Sequence, residues 1–312
     1  DENGVVALHP GFQGSLGLGG PTGNVLNAIP GGDFTTTGYQ VASIQITQTD
    51  GNDTLVGGAG ADEILGGAGD DVIVWNNGDG SDVVDGGTGN DTLEVFGADG
   101  GSDRIEIAAR SGRLEVQRTN LGRFTIDAGT VETLFLDTGA GNDVVTGRNL
   151  SSLVELALLD VQTGTGNDAV NFTAIGSVPT RISLGDGFDS AFGGFGNDTI
   201  YGGNGTDIIF GHNGDDEIDG GEGNDFIYAG NGSDTVAGGI GNDVITGGFG
   251  DDSISGGDGV DFIFGNAGDD TIEGNGGNDF LFGGFGNDTL RGGTGFDLLI
   301  GGLGADLLEQ DD

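Results

Sequence analysis

The sequence predicts an all-β chain wound as a repeating coil, and three observations carry that prediction. Aspartates recur on a nine-residue ruler: Asp189, Asp198, Asp207, Asp216, Asp225, Asp234, Asp243, Asp252, Asp261, Asp270, Asp279, Asp288, Asp297 and Asp306 follow one another without an insertion. Glycine stands two residues before each of the fourteen. Two residues after each stands Ile, Val or Leu, with Ala191 the single exception. A fixed period of this kind marks repeat architectures, in which each unit buries its apolar face against its neighbours.

Each part of the unit has a physical reason. A six-residue loop that reverses the chain twice per turn needs positive φ, which glycine adopts at no steric cost. The three residues left over form a short strand whose middle side chain points inward, stacking a thin aliphatic column. A shorter array comes first: Asp53, Asp62 and Asp71, a two-residue slip at Trp75 and Asn76, then Asp82 and Asp91. Residues 138–143 and 163–168 both read Thr-Gly-x-Gly-Asn-Asp, 25 residues apart, and predict longer rungs of the same coil ending in Asp143 and Asp168.

The other segments carry different patterns. Residues 104–136 alternate through Ile105 and Ile107, Leu114 and Val116, Phe124 and Ile126, Leu134 and Leu136, with Gly112 and Gly122 between them, which predicts an antiparallel meander. Five of the eight Arg fall here and are expected to pair with acidic neighbours. The chain divides accordingly into a glycine-rich arm at 1–48, a first array at 49–99, a β-rich middle at 100–180 and the long array at 181–312. The arm ends in an alternating strand at 41–47, suited to capping the coil or to adding a strand to a neighbouring subunit.

Composition narrows the function. The 312 residues include 72 Gly, and 51 acids face eight Arg and no Lys, for a formal net charge of −43. Eight cations cannot displace the counterions of a nucleic acid. The absence of Cys excludes disulfide scaffolds and thiolate metal sites. No apolar run approaches the ~20 residues of a membrane-spanning helix. The chain opens at Asp1 without a basic, apolar leader and is expected to be a mature or excised form. A chain this acidic and only 34% hydrophobic stays unfolded unless something neutralises it.

The repeat itself indicates the neutralising ion. One carboxylate per loop among exposed glycine carbonyls offers hard oxygen ligands only. Calcium accepts six to eight such oxygens in irregular geometry, where magnesium demands a strict octahedron. The candidate ligands are the fourteen aspartates of the long array, Asp53, Asp62, Asp71, Asp82 and Asp91 of the short one, and Asp143 and Asp168 between them. If each stacked pair of loops holds one ion, about fifteen ions bind, which would bring the net charge to about −13. Folding and calcium binding then become one process.

Segments such as Gly57-Gly-Ala-Gly-Ala-Asp62-Glu-Ile64 and Gly238-Gly-Ile-Gly-Asn-Asp243-Val-Ile245 resemble the RTX nonapeptide Gly-Gly-x-Gly-x-Asp-x-U-x, where U is a large aliphatic residue. The resemblance implies a right-handed parallel β-roll, a β-solenoid in which two nonapeptides make one 18-residue turn and calcium lies between successive loops on the same side. It also implies type I export by a Gram-negative bacterium and a place outside the cell or on its surface. Catalysis finds no support: His9 and His212 are isolated, and no zinc-protease helix, nucleophile elbow or phosphate loop is found.

Sorting outward residues by alternate repeats separates two faces. One carries the apolar ladder Phe192, Ile208, Phe210, Phe226, Tyr228, Phe262, Phe264, Phe280 and Phe282; the other reads Thr199, Glu217, Thr235, Ser253, Thr271 and Thr289. A bare apolar strip of seven rows, about 30 Å tall, exceeds what a soluble monomer normally exposes. Either another part of the chain covers it, namely residues 1–48 or the middle segment, or a second copy does; a sugar-binding strip is the remaining option. The expectation is a secreted, calcium-folded structural protein that self-assembles into a filament, surface layer or matrix. The alternative is a calcium-dependent folding and secretion module of a larger RTX exoprotein or adhesin.

Overall fold

Strand and turn alternate from Ile44 to Glu309, and in the long array each strand lies in register on the one eighteen residues earlier. The computed structural model describes residues 51–310 except positions 99, 121 and 154, together with the backbone of three strands at Leu16–Gly17, Asn24–Asn27 and Ile44–Asp50. The described strands form two sheets, one of 17 strands and one of 13, in which nearly all neighbours are parallel. Ile208–Asn213 pairs with Phe226–Asn231 in the first sheet, and Glu217–Glu222 with Thr235–Ile240 in the second. Two nonapeptides therefore make one turn of a parallel β-solenoid.

The aliphatic position of each repeat faces the space between the sheets. Ile209, Ile227, Ile245 and Ile263 stack in one column and Ile200, Ile218, Ile254 and Ile272 in the other, all buried. Loops stack as tightly as strands. Gly205 holds φ at +131°, and a Cβ there would overlap the Gly187 carbonyl oxygen of the turn before. From Gly205 to Gly304 the glycine two residues before each aspartate is thus required by neighbouring backbone as well as by its own φ, whereas Gly187 and Gly196 lack the positive φ and are required by the neighbouring backbone alone.

The longer rungs form as expected: Val144 and Val145 pair with Ala169 and Val170 across the 25-residue interval. The two-residue slip at Trp75 is taken up in a rung of twenty residues, with the Asp62 amide reaching Asp82. In the arm, Asn24–Asn27 pairs in parallel with Ile44–Asp50, which pairs in parallel with Glu63–Ala68. These strands extend the first sheet within the same chain. The rest of the arm, with its expected capping or strand-adding role, lies outside the described residues.

The middle segment needs one correction. Arg104–Arg110, Arg113–Arg118 and Phe124–Gly129 form the expected antiparallel meander. Leu134 and Leu136 do not continue it; their strand, Thr133–Asp137, crosses to the second sheet and pairs in parallel with Thr92–Phe96 and Leu158–Gln162. Alternation reports that one face is buried, and it is silent about the direction of the neighbouring strand. The meander enters the first sheet edgewise: Phe124–Gly129 pairs in parallel with Val83–Thr88, and Arg104–Arg110 with Val144–Arg148.

Replacing Gly205 by Ala is expected to lower stability by about 2 kcal/mol or more, since it adds both strained φ and overlap with a carbonyl. Thr206→Ala, at an exposed neighbour, is the control and should change little. Thermal melting in saturating calcium compares them, and equal melting temperatures would contradict the stacking argument.

Candidate metal centres

Each repeat aspartate is placed by the residues around it: glycine tightens the loop before it, and the strand after it is anchored in the core. The Asp207 carbonyl accepts the Phe226 amide at 2.9 Å, which fixes the backbone beside the carboxylate. The side chain then turns inward under the loop. Throughout the long array one carboxylate oxygen is used between turns. The Asp189 amide donates to Asp207 Oδ1 at 2.9 Å, Asp207 to Asp225 at 2.8 Å and Asp225 to Asp243 at 2.8 Å. The opposite loops repeat this through Asp198, Asp216 and Asp234, each bond 2.8 Å.

The second oxygen is different. Oδ2 of Asp71, Asp91, Asp189, Asp198, Asp207, Asp216, Asp225, Asp234, Asp243, Asp252, Asp261, Asp270, Asp279, Asp288 and Asp297 is buried and has no hydrogen-bond partner. A buried carboxylate oxygen left without a partner is costly, so a recurrent row of them marks a missing positive ligand. The space beside these oxygens is kept open by a glycine five residues earlier, except before Asp189 and Asp234, where Leu184 and Ala229 stand. A Cβ on Gly202 would stand 2.7 Å from Asp207 Oδ2 and collide with the Gly220 carbonyl of the next turn. Carboxylate and carbonyl oxygens thus converge on one cradle per loop.

Among the described residues no three His, Cys, Asp or Glu side chains converge on one point. A cation in a cradle would therefore take most of its ligands from backbone carbonyls. All the donors are hard oxygens in irregular array, which fits calcium.

The sequence-predicted residues fall on two loop columns. Asp53, Asp71 and Asp91 share one, and their amides pass from carboxylate to carboxylate at 2.9 and 2.8 Å. Asp62 and Asp82 begin the other. Asp143 and Asp168 join the long array through Asp189, with amide-to-carboxylate bonds of 2.7 Å. At these two the glycine five residues earlier is replaced by buried Thr138 and Thr163, whose hydroxyls donate to the Thr163 and Leu184 carbonyls of the next turn at 3.4 and 2.8 Å, and Oδ2 of both aspartates is again buried without a partner. Asp297 and Asp306, in the last described turn, are half-buried.

Three members of these columns escape the nine-residue count. The Asp103 amide donates to Asp143 at 2.6 Å, the Asp91 amide to Glu132 at 2.6 Å, and the Thr180 amide to Asp198 at 2.7 Å. Asp103 had a signal, with Gly101 two residues before it and Ile105 two after. Glu132 and Thr180 keep only the following aliphatic, Leu134 and Ile182.

Without a cation the carboxyls are pushed upward. Burial raises Asp216, Asp225 and Asp252 to about 7, helped by the neighbouring aspartates of their own column and opposed by the amide bond each accepts. Burial likewise raises Asp189, Asp198 and Asp261 to about 6.

A parallel coil with one carboxylate cradle per nonapeptide defines a calcium-binding β-solenoid. The model of the RTX calcium-binding nonapeptide repeat matches residues 47–74, 76–106 and 135–149 and, in overlapping matches, 183–309. The chain belongs to that family. No curated protein sequence matches it. Among solved structures, the extracellular lipase LipA from Serratia marcescens is similar at 19% identity over 73% of this chain and 33% of that chain, with a TM-score of 0.27. This chain thus spans about a third of the lipase's length. No helix among the described residues is long and apolar enough to cross a membrane.

The raised carboxyls set a pH dependence of definite sign. Folded values of about 6–7 lie above the ordinary 3.8, so between those limits the ion-free coil binds more protons than the unfolded chain. Its stability rises as pH falls from about 7 toward 4. In chelator, acidification from pH 7.5 to 5 should increase β-sheet circular dichroism. In calcium the same change should raise the calcium midpoint, because protons compete for the ligands. A chelated chain no more structured at pH 5 than at 7.5 would contradict this account.

Proposed function

We propose that the chain is a secreted structural protein that folds on calcium outside the cell and then assembles with copies of itself. The observation that carries the calcium switch is the row of buried, partnerless Oδ2 atoms that runs from Asp189 to Asp297 along both loop columns. The repeat aspartates hold the ions, Oδ1 spanning to the preceding turn and Oδ2 facing the cation. With the ions absent, like charges repel at every turn of a narrow core, and the chain entropy is not offset. Extracellular calcium modules work at ~0.1–1 mM, so the arrays would be unfolded during export and ordered outside. The reading is non-catalytic: the carboxylates are committed to contacts between turns.

Self-assembly is supported by the outer face of the first sheet. Phe192 stacks on Phe210 at 5.1 Å between ring centroids, Phe262 on Phe280 at 4.5 Å and Phe264 on Phe282 at 4.9 Å. Phe226 and Phe262 remain 42% and 40% exposed, so among the described residues these rings are ordered by one another and not by a cover. The middle segment lies in the plane of this sheet, beyond the ladder, and does not cross it. Exposed Phe249, Phe285 and Leu303 widen the apolar face along the adjoining loops. The occupant that fits a long, uncharged strip on so acidic a chain is a second copy, which shares the apolar strip and needs no basic partner.

Chelation is expected to remove most of the β-sheet circular dichroism, and an unchanged spectrum would sink the coupled-folding reading. Asp225→Asn keeps an oxygen for the Asp207 amide but loses the charge. It should bind fewer ions by calorimetry and fold at higher calcium. Electron microscopy in millimolar calcium should show filaments or sheets that disappear in chelator. Replacing Phe226, Phe262 and Phe280 together by Ser should abolish them without changing the ion count. Monodisperse wild-type particles in calcium would favour the alternative, a folding module of a larger exoprotein.

A further inference from the structure

We infer that the middle of the chain, residues 72–184, is a folding nucleus that forms without calcium, its dense apolar core outweighing the bare Oδ2 atoms of Asp91, Asp143 and Asp168, with the Arg118 guanidinium balancing the buried charge of Asp103. The inference rests on the proposed calcium dependence of the long array and goes beyond it. Where the meander enters the first sheet, the loop column is cut. The Asp82 amide donates to the Thr125 carbonyl at 3.1 Å, and the column begins again at Asp103.

Asp103 is fully buried, and the protein itself satisfies both of its oxygens. Oδ2, the atom left bare in the arrays, accepts the Ala98 amide at 2.8 Å. Oδ1, which elsewhere accepts the aspartate amide of the preceding turn, accepts Arg118 Nη1 at 3.3 Å. The Arg118 side chain is 4% exposed; its Nη2 reaches Asn77 Oδ1 at 2.8 Å and the Gly122 carbonyl at 3.1 Å. The guanidinium also lies over the Phe124 ring, 5.2 Å from its centroid, and that ring packs on Trp75 at 3.8 Å. Arg118 therefore joins the loop before the cut to the loop after it, as a fixed cation. A charged pair this deeply buried is strongly disruptive to break from one side.

An independent observation points the same way. Among the described residues, 72–184 buries twice as many apolar side chains as 185–310 over a similar length, including the bulky Trp75, Phe124 and Phe172. Burial of that density drives folding without an ion, whereas one aliphatic residue per nonapeptide does not. The nucleus also presents an edge for growth. Its strands Ala169–Ala174 and Thr180–Gly187 pair with Ser190–Gly194 and Thr199–Gly205, the first strands of the long array. Solenoids propagate from such an edge by nearest-neighbour contacts, so calcium would extend a preformed end turn by turn.

Trp75 is the chain's single tryptophan and is 3% exposed, so it reports on this segment alone. In the full chain in chelator, its emission is expected to stay blue-shifted. Amide exchange should be slower across 104–136 than across 235–290 by ~100-fold or more. Loss of Trp75 burial at the same calcium concentration as the circular dichroism would overturn the inference. Equal protection of both segments in chelator would also overturn it, by removing the calcium dependence on which it rests. Arg118→Gln should expose Trp75 in chelator while calcium restores the array's signal; an unchanged Trp75 emission would refute the guanidinium's role. If this variant does not fold even in calcium, the wild-type exchange pattern still decides.

Discussion

Everything in the long array depends on placing one carboxylate per nonapeptide where water cannot reach it. Burial of this kind is unfavourable for a charged group, and the stacked aspartates of one column make it more so by mutual repulsion. The coil reduces the cost by half with protein alone, giving each Oδ1 an amide from the preceding turn. The other oxygen is left for a cation. In the proposed function, order in the array is therefore conditional, and the condition is an ion whose abundance differs between the inside and the outside of a cell.

The same arrangement explains the composition. Loops that approach to backbone contact leave no room for a Cβ at Gly205, and the cradle beside Asp207 leaves none at Gly202. Two inward aliphatics per turn are all that such a flat coil can enclose. A high glycine content and a thin core follow from the ion-binding loop, which has to compensate for the burial it displaces. The middle segment works by the opposite balance, with large side chains, threonine in place of two loop glycines, and arginine where the column is cut.

Much of this was legible in the sequence because the period fixes both the strand face and the loop. The columns of Ile227 and Ile245, the stacked columns of aspartates and the split between apolar and polar faces all follow from counting by nine. The count fails where the rung length changes. Asp103 lies twelve residues after Asp91, so it drops out although its flanking Gly101 and Ile105 are intact. Glu132 and Thr180 hold column positions by backbone geometry alone, which no residue pattern announces. Leu134 and Leu136 show the complementary failure: their burial was readable and their sheet was not, because the crossing is decided at a turn after Gly129. Arg118 looked like one member of a basic cluster, and only its depth beside Asp103 distinguishes it from Arg110, which meets Glu115 at the surface.

The edgewise meander has a geometric consequence. It adds two strands to the first sheet that have no counterpart in the second, a difference in height of about 10 Å at ordinary strand spacing. Layers of unequal height cannot stay straight, so the solenoid axis must turn at this point like a stack of plates with a wedge slipped in on one side. The taller side belongs to the sheet that carries the aromatic ladder, which places the ladder's sheet on the convex side of the elbow. The direction in which one coil could approach another is thus set more than fifty residues before the first aromatic rung.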